Sequence, residues 1–122
     1  VLERRSYQRQ EVIIHIGDAA SHIYLLARGQ VSVLLPQQGG ARRRLATFSA
    51  GMAFGEMAVL DRAPRSAMIV ADSEVQCDLL SLDALQDLDA TEPVIKIKLL
   101  ENLALGLCGK LRKANRELAL LE

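Results

Sequence analysis

The chain has 122 residues, of which 50% are hydrophobic and 25% charged, and its 15 basic residues balance its 15 acidic ones. This is the size and composition of one globular domain with a real core, and the missing net charge argues against bulk electrostatic binding of nucleic acid or a membrane surface. Aromatic residues make up 3% and tryptophan is absent, so the core must be aliphatic, and the stacking platforms of single-strand-binding proteins are missing.

The N-terminus, Val1-Leu2-Glu3-Arg4-Arg5, is charged rather than signal-like and reads as the tail of a helix. The chain stops at Leu121-Glu122 inside a helical pattern, so it reads as a segment of a longer polypeptide. No apolar run approaches the roughly 18 residues of a membrane span. Cys77 and Cys108 lie far apart with no CxxC, which suggests neither a zinc site nor a disulfide framework and makes a reduced, cytoplasmic setting the expectation.

From Val12 to Leu82 the pattern is one of short strands between turn signals. Val12 to Ile16 is an apolar run closed by Gly17-Asp18, and Ile23 to Ala27 follows. Gly29 precedes Val31 to Leu35, and Pro36-Gln37-Gln38-Gly39-Gly40 marks a hairpin loop with Arg42 to Phe48 as the return strand. Ser49-Ala50-Gly51 is another turn. Ala67 to Ala71 and Val75 to Leu79 give two more strands, the second clearly alternating. Strands this short and frequent predict a sandwich or barrel of the jelly-roll type.

Helical periodicity takes over after Ser81, a fitting N-cap for Leu82 to Leu88. Thr91-Glu92-Pro93 opens a second helix with Pro93 near its first position. Leu100, Ala104, Leu107, Leu111, Ala114, Leu118 and Leu121 then recur at alternating spacings of four and three, an a/d seam over three heptads. Gly106 and Gly109 lie off that seam, each weakening the helix by about 1 kcal/mol relative to Ala. The seam fits either packing on its own chain or pairing with a second copy, and pairing is favoured.

Residues 54–67, FGEMAVLDRAPRSA, carry the chemistry. A Gly followed by a short apolar helical turn offers unpaired backbone N–H groups, which suit phosphate, and a ligand can approach where no Cβ stands. Glu56 beside such a site makes sense if its carboxylate accepts from hydroxyl groups, as ribose would provide. Arg65, fixed behind Pro64, presents a planar fork suited to two phosphate oxygens, and Ser66 could add a hydroxyl and a backbone N–H. Together these groups match a ribose phosphate. The plainer alternative is a surface ion pair beside an ordinary turn, worth about 0–1 kcal/mol.

FGEMAVL followed by APRSA resembles the phosphate-binding cassette of the cyclic nucleotide-binding domain family, the β-roll of catabolite activator protein and of protein kinase regulatory subunits. Gly17-Asp18, Ile23-Tyr24, Gly29-Gln30-Val31-Ser32-Val33 and Gly51 resemble further landmarks of that roll. The resemblance implies a mainly β fold with C-terminal helices (α+β), an antiparallel β-roll of the double-stranded jelly-roll kind flanked by helices. It implies one domain over 1–122, with an entry segment 1–8, the roll at 9–82 and helices at 83–122.

By the same resemblance Glu56 accepts from the ribose 2′-hydroxyl, and Gly55, Met57 and Ala58 supply backbone. Arg65 pairs with the cyclic phosphate, Ser66 and Ala67 complete its cradle, and Val33, Leu45 and Ala46 pack the base. Lys110, Arg112 or Asn115 could cap the base, with none singled out. The departures are modest: Gln10-Glu11 for the usual Gly-Glu, Val59 for Leu, and no hydroxyl at Ala46. Ser66 leans towards cAMP over cGMP, because cGMP-favouring members often carry Thr there.

The implied function is a regulatory module, not an enzyme, that passes nucleotide binding through its C-terminal helix to a fused or associated effector, with a homodimer along that helix. No cofactor is expected beyond the ligand itself, and no direct nucleic-acid partner. A cupin-like enzyme would need a histidine set that His15 and His22, read as a strand and a loop residue, do not supply. A degenerate roll serving only dimerisation remains the other alternative. Arg42-Arg43-Arg44 reads as a solvated hairpin arm, Cys77 as core filling and Cys108 as an ordinary helix residue. No nucleophile–base pair lies near Ser66, so catalysis is not indicated.

Overall fold

The computed structural model describes residues 2–121. The chain divides into two compact units, residues 1–84 and 85–122. The first holds eight strands: β1 (Glu3–Tyr7), β2 (Val12–Ile14), β3 (His22–Arg28), β4 (Gln30–Pro36), β5 (Arg42–Ser49), β6 (Ala53–Phe54), β7 (Met68–Ala71) and β8 (Val75–Ser81). A short helix, α1 (Glu56–Asp61), sits between β6 and β7. The strands form two antiparallel sheets, ordered β1-β8-β3-β6 and β2-β7-β4-β5, which is the β-roll expected from the sequence.

Inward side chains of both sheets make the core. Ile14, Tyr24, Leu26, Val31, Phe54, Ile69, Val75, Cys77 and Leu79 form one buried cluster, with Val33 and Phe48 packed against it. The β3–β4 connection is tight enough to require its glycine. Gly29 has φ +94°, and a Cβ there would collide with the Glu74 carbonyl and stand 2.9 Å from Val75 Cγ2. The next residues tie β4 to the β7–β8 turn: the Gln30 N–H donates to Ser73 Oγ at 3.1 Å, and the Gln30 and Ser32 side chains donate to the Asp72 carboxylate.

Three differences from the sequence reading have physical causes. Glu3–Tyr7 is a strand rather than the tail of a helix, paired with β8 from Glu3↔Leu79 to Tyr7↔Val75. Five mostly charged residues carry no period of their own; the open edge of β8 supplies the pairing, and Arg4 forks onto Asp78 at 2.8 and 3.0 Å. Strand β2 stops at Ile14, so His15 falls just past it, whereas His22 begins β3 instead of lying in a loop. Strand β6 has two residues, too few for any pattern to register, and exists because it pairs with Tyr24 and Leu25.

Helix α2 (Leu82–Thr91) is capped as expected, Ser81 Oγ accepting from the Ala84 N–H at 3.0 Å. Helix α3 (Pro93–Leu120) starts with Pro93 in its first turn and runs 28 residues, about 42 Å at 1.5 Å per residue. It continues through Gly106 and Gly109. On the seam, Leu111, Leu118 and Leu121 are 63%, 60% and 79% exposed, whereas Leu103, off it, is buried. No helix among the described residues is long and apolar enough to cross a membrane.

Candidate functional site

The site grows out of a chain reversal at Gly55. Strand β6 delivers Phe54 to the core, where its ring stacks on Tyr24 with centroids 4.9 Å apart and planes 13° from parallel. The chain then turns left-handed at Gly55, φ +76°, and enters α1 with Glu56 and Val59 buried. The helix lasts six residues. Arg62 ends it in the left-handed region at φ 58°, and the Ala63 N–H is shared between the Ala58 carbonyl and Asp61 Oδ1, both at 3.1 Å. Pro64 then leads into Arg65.

Arg65 is held on all sides. Its N–H donates to the Asp18 carbonyl at 3.0 Å, and its carbonyl accepts from the Gly17 N–H at 2.9 Å. Its guanidinium donates through Nη1 to the Gly55 carbonyl at 2.5 Å and through Nη2 to the His22 carbonyl at 2.7 Å. It also lies over the Tyr24 ring, 5.8 Å from the centroid. The residue is only 6% exposed and Glu56 3%. Burial lowers the Arg65 pKa from its ordinary value, while Tyr24, Glu56 and Asp18 push the other way. An Arg so placed stays charged, and two of its five N–H donors are used on these carbonyls.

That arrangement gives Gly55 a role the sequence did not reveal. A Cβ at Gly55 would stand 2.7 Å from Arg65 Nη1. The room made by the missing side chain is filled by the protein's own guanidinium. His22 and Tyr24 were likewise not singled out as site residues. His22 takes part through its backbone carbonyl, which leaves no mark on residue type, and Tyr24 looks in sequence like any inward strand residue.

A family model described as the cyclic nucleotide-binding domain matches residues 4–92. The chain belongs to the cyclic nucleotide-binding domain family. This domain is 35% identical over 119 residues to the cyclic AMP receptor protein of Thermus thermophilus, covering 98% of this chain and 53% of that protein. It is 39% identical over 117 residues to glutaminase 2 of Bradyrhizobium diazoefficiens, covering 96% of this chain but 18% of the other. The crystal structure of a cyclic nucleotide-binding domain from Methylobacillus flagellatus superposes with a TM-score of 0.90 at 27% identity, over 99% of this chain and 68% of that one. The chain therefore spans about half, or less, of the length of the first two relatives. The family is one of regulatory domains, found both in receptors and joined to larger enzymes.

The remaining expected residues of the cyclic nucleotide-binding domain fall into two groups. Around Arg65, Ala58 and Ala67 are half-buried, Ser66 is exposed and Met57 is 63% exposed. On the second sheet Val33 and Ala46 face each other across β4 and β5. Leu45 has no such partner in the ladder: pairing passes from Val33↔Ala46 to Leu34↔Arg44, so Leu45 is the extra residue of a β-bulge, and it is exposed. A cavity of about 320 Å³ opens beside the cassette, walled by Ala19, Ala20, Val59, Arg62, Pro64 and Leu82 among others. Neither Glu56 nor Arg65 lines it, so it is not the phosphate position implied by the sequence.

Proposed function

We propose that residues 1–122 act as one regulatory module that binds a cyclic nucleotide, cAMP in preference to cGMP, through the cassette at 54–67. The observation that carries the proposal is the buried Arg65 in the neighbourhood of the buried Glu56. Burying ionisable groups is costly, and the likeness to the family gives both residues a use, a cyclic phosphate for Arg65 and a ribose hydroxyl for Glu56. Arg65 pairs with the phosphate, Ser66 and the backbone of Gly55, Met57, Ala58 and Ala67 complete its cradle, and Glu56 accepts from the 2′-hydroxyl. Val33, Leu45 and Ala46 pack the base. The cAMP preference rests on Ser66, supported by the likeness to a cyclic AMP receptor protein.

Ligand binding works as a population shift. A nucleotide that favours one arrangement of the cassette by a few kcal/mol redistributes the states of the domain. The C-terminal helix α3 carries the change to an attached effector, as a domain joined to a longer protein would require, and its exposed leucine seam pairs with a second copy. The setting is the cytoplasm, where cyclic nucleotides are made.

Calorimetric titration with cAMP and with cGMP tests the reading. Binding of both with cAMP tighter supports it. Absence of heat and of thermal stabilisation with either leaves a roll that serves only as an interaction module.

A further inference from the structure

We infer that Tyr24 is a positioning residue for the cassette arginine, its ring face holding the Arg65 guanidinium where a cyclic phosphate is to be met. The inference rests on the binding reading above. Two bonds, to the Gly55 and His22 carbonyls, fix the guanidinium in its own plane. Neither bond resists displacement out of that plane; the face of Tyr24, 5.8 Å from the guanidinium carbon, does.

The ring is itself packed into the core. Tyr24 is buried in the core cluster, stacks on Phe54, and belongs to a strand residue paired with Phe54 on one side and Leu79 on the other. Since Phe54 immediately precedes Gly55, one aromatic pair sets both the carbonyl that Arg65 grips and the surface on which Arg65 lies. Bonding and ring contact thus reach Arg65 from β3 and from the residue that follows β6. A flexible arginine would lose rotamer freedom on meeting phosphate; this one has lost it already.

The contact is electrostatic, between a cation and the negative face of a ring, so it can be weakened without changing shape. Tyr24→Phe keeps the ring and is expected to bind cAMP within about twofold of the parent chain. Replacing that phenylalanine with its mono-, di- and trifluorinated forms withdraws charge from the ring face while preserving volume and apolarity. Affinity for cAMP measured by calorimetry should fall stepwise, by about tenfold over the series, with unchanged circular dichroism.

Tyr24→Leu, which removes the ring, should bind at least as weakly as the most fluorinated form. A flat fluorination series in a chain that binds cAMP overturns the inference alone. Failure of the parent chain to bind any cyclic nucleotide overturns the functional reading and this inference with it.

Discussion

The carbonyl of Gly55 accepts a hydrogen bond from the guanidinium of Arg65, so the two ends of the cassette are joined directly across the helix between them. The same guanidinium occupies the space that a side chain at Gly55 would need. Glycine at one end and arginine at the other are therefore one structural decision.

Gly55→Ala sets a Cβ 2.7 Å from Arg65 Nη1 on a backbone with φ +76°. Left-handed backbone costs a non-glycine residue roughly 1–2 kcal/mol, and the arginine must also shift. The variant should lose at least that much stability in chemical denaturation. It should also bind cAMP more weakly than the parent chain in calorimetry.

Arg65→Ala removes the positive charge of the cassette. At about 1.5–3 kcal/mol for each hydrogen bond to a charged partner, two such bonds to phosphate correspond to a loss of at least a hundredfold. Glu56→Ala should cost roughly tenfold through the lost ribose contact. Calorimetry reads both, with circular dichroism to check the fold. Wild-type affinity in Arg65→Ala would mean that the nucleotide sits elsewhere.

Cys77 lies wholly buried in the roll, and burial, with a smaller push from Asp78, raises its thiol to about 11. The folded chain thus keeps a proton that the unfolded chain gives up near the ordinary thiol value of about 8.5. Its contribution to stability is complete below that value and is lost as pH rises towards 11. Urea denaturation should show stability falling by about 3 kcal/mol across this window. Cys77→Ala should be less stable at neutral pH but show a shallower decline.

Cutting the chain after Lys110 removes Leu111, Leu118 and Leu121, the most exposed leucines of the heptad seam. Light scattering should give the mass of a dimer for the full chain and of a monomer for the shortened one. Equal oligomeric state in both would assign the seam another purpose.

Much of this was legible from residue order. The Ser81 cap, the Pro93 start and the long terminal helix each depend on local geometry that a few neighbouring side chains dictate. The Gly55 turn and the short helix after it were legible too, because a glycine ahead of a brief apolar run marks a helix start. The strand at Glu3–Tyr7 was not, since its partner, β8, lies some seventy residues away and its own charged residues favour no period. Nor was the bulge at Leu45, which shows only as a slip between two ladders.

The sequence by itself determined the roll, the terminal helices and the short helix after Gly55, because strand alternation, capping and turn chemistry act over a few residues. Only the tertiary structure decided what surrounds Arg65. The carbonyl of His22 and the ring of Tyr24 reach it from β3 and the carbonyl of Gly55 from the turn ahead of α1, and backbone acceptors brought together by folding leave no signature in the order of side chains.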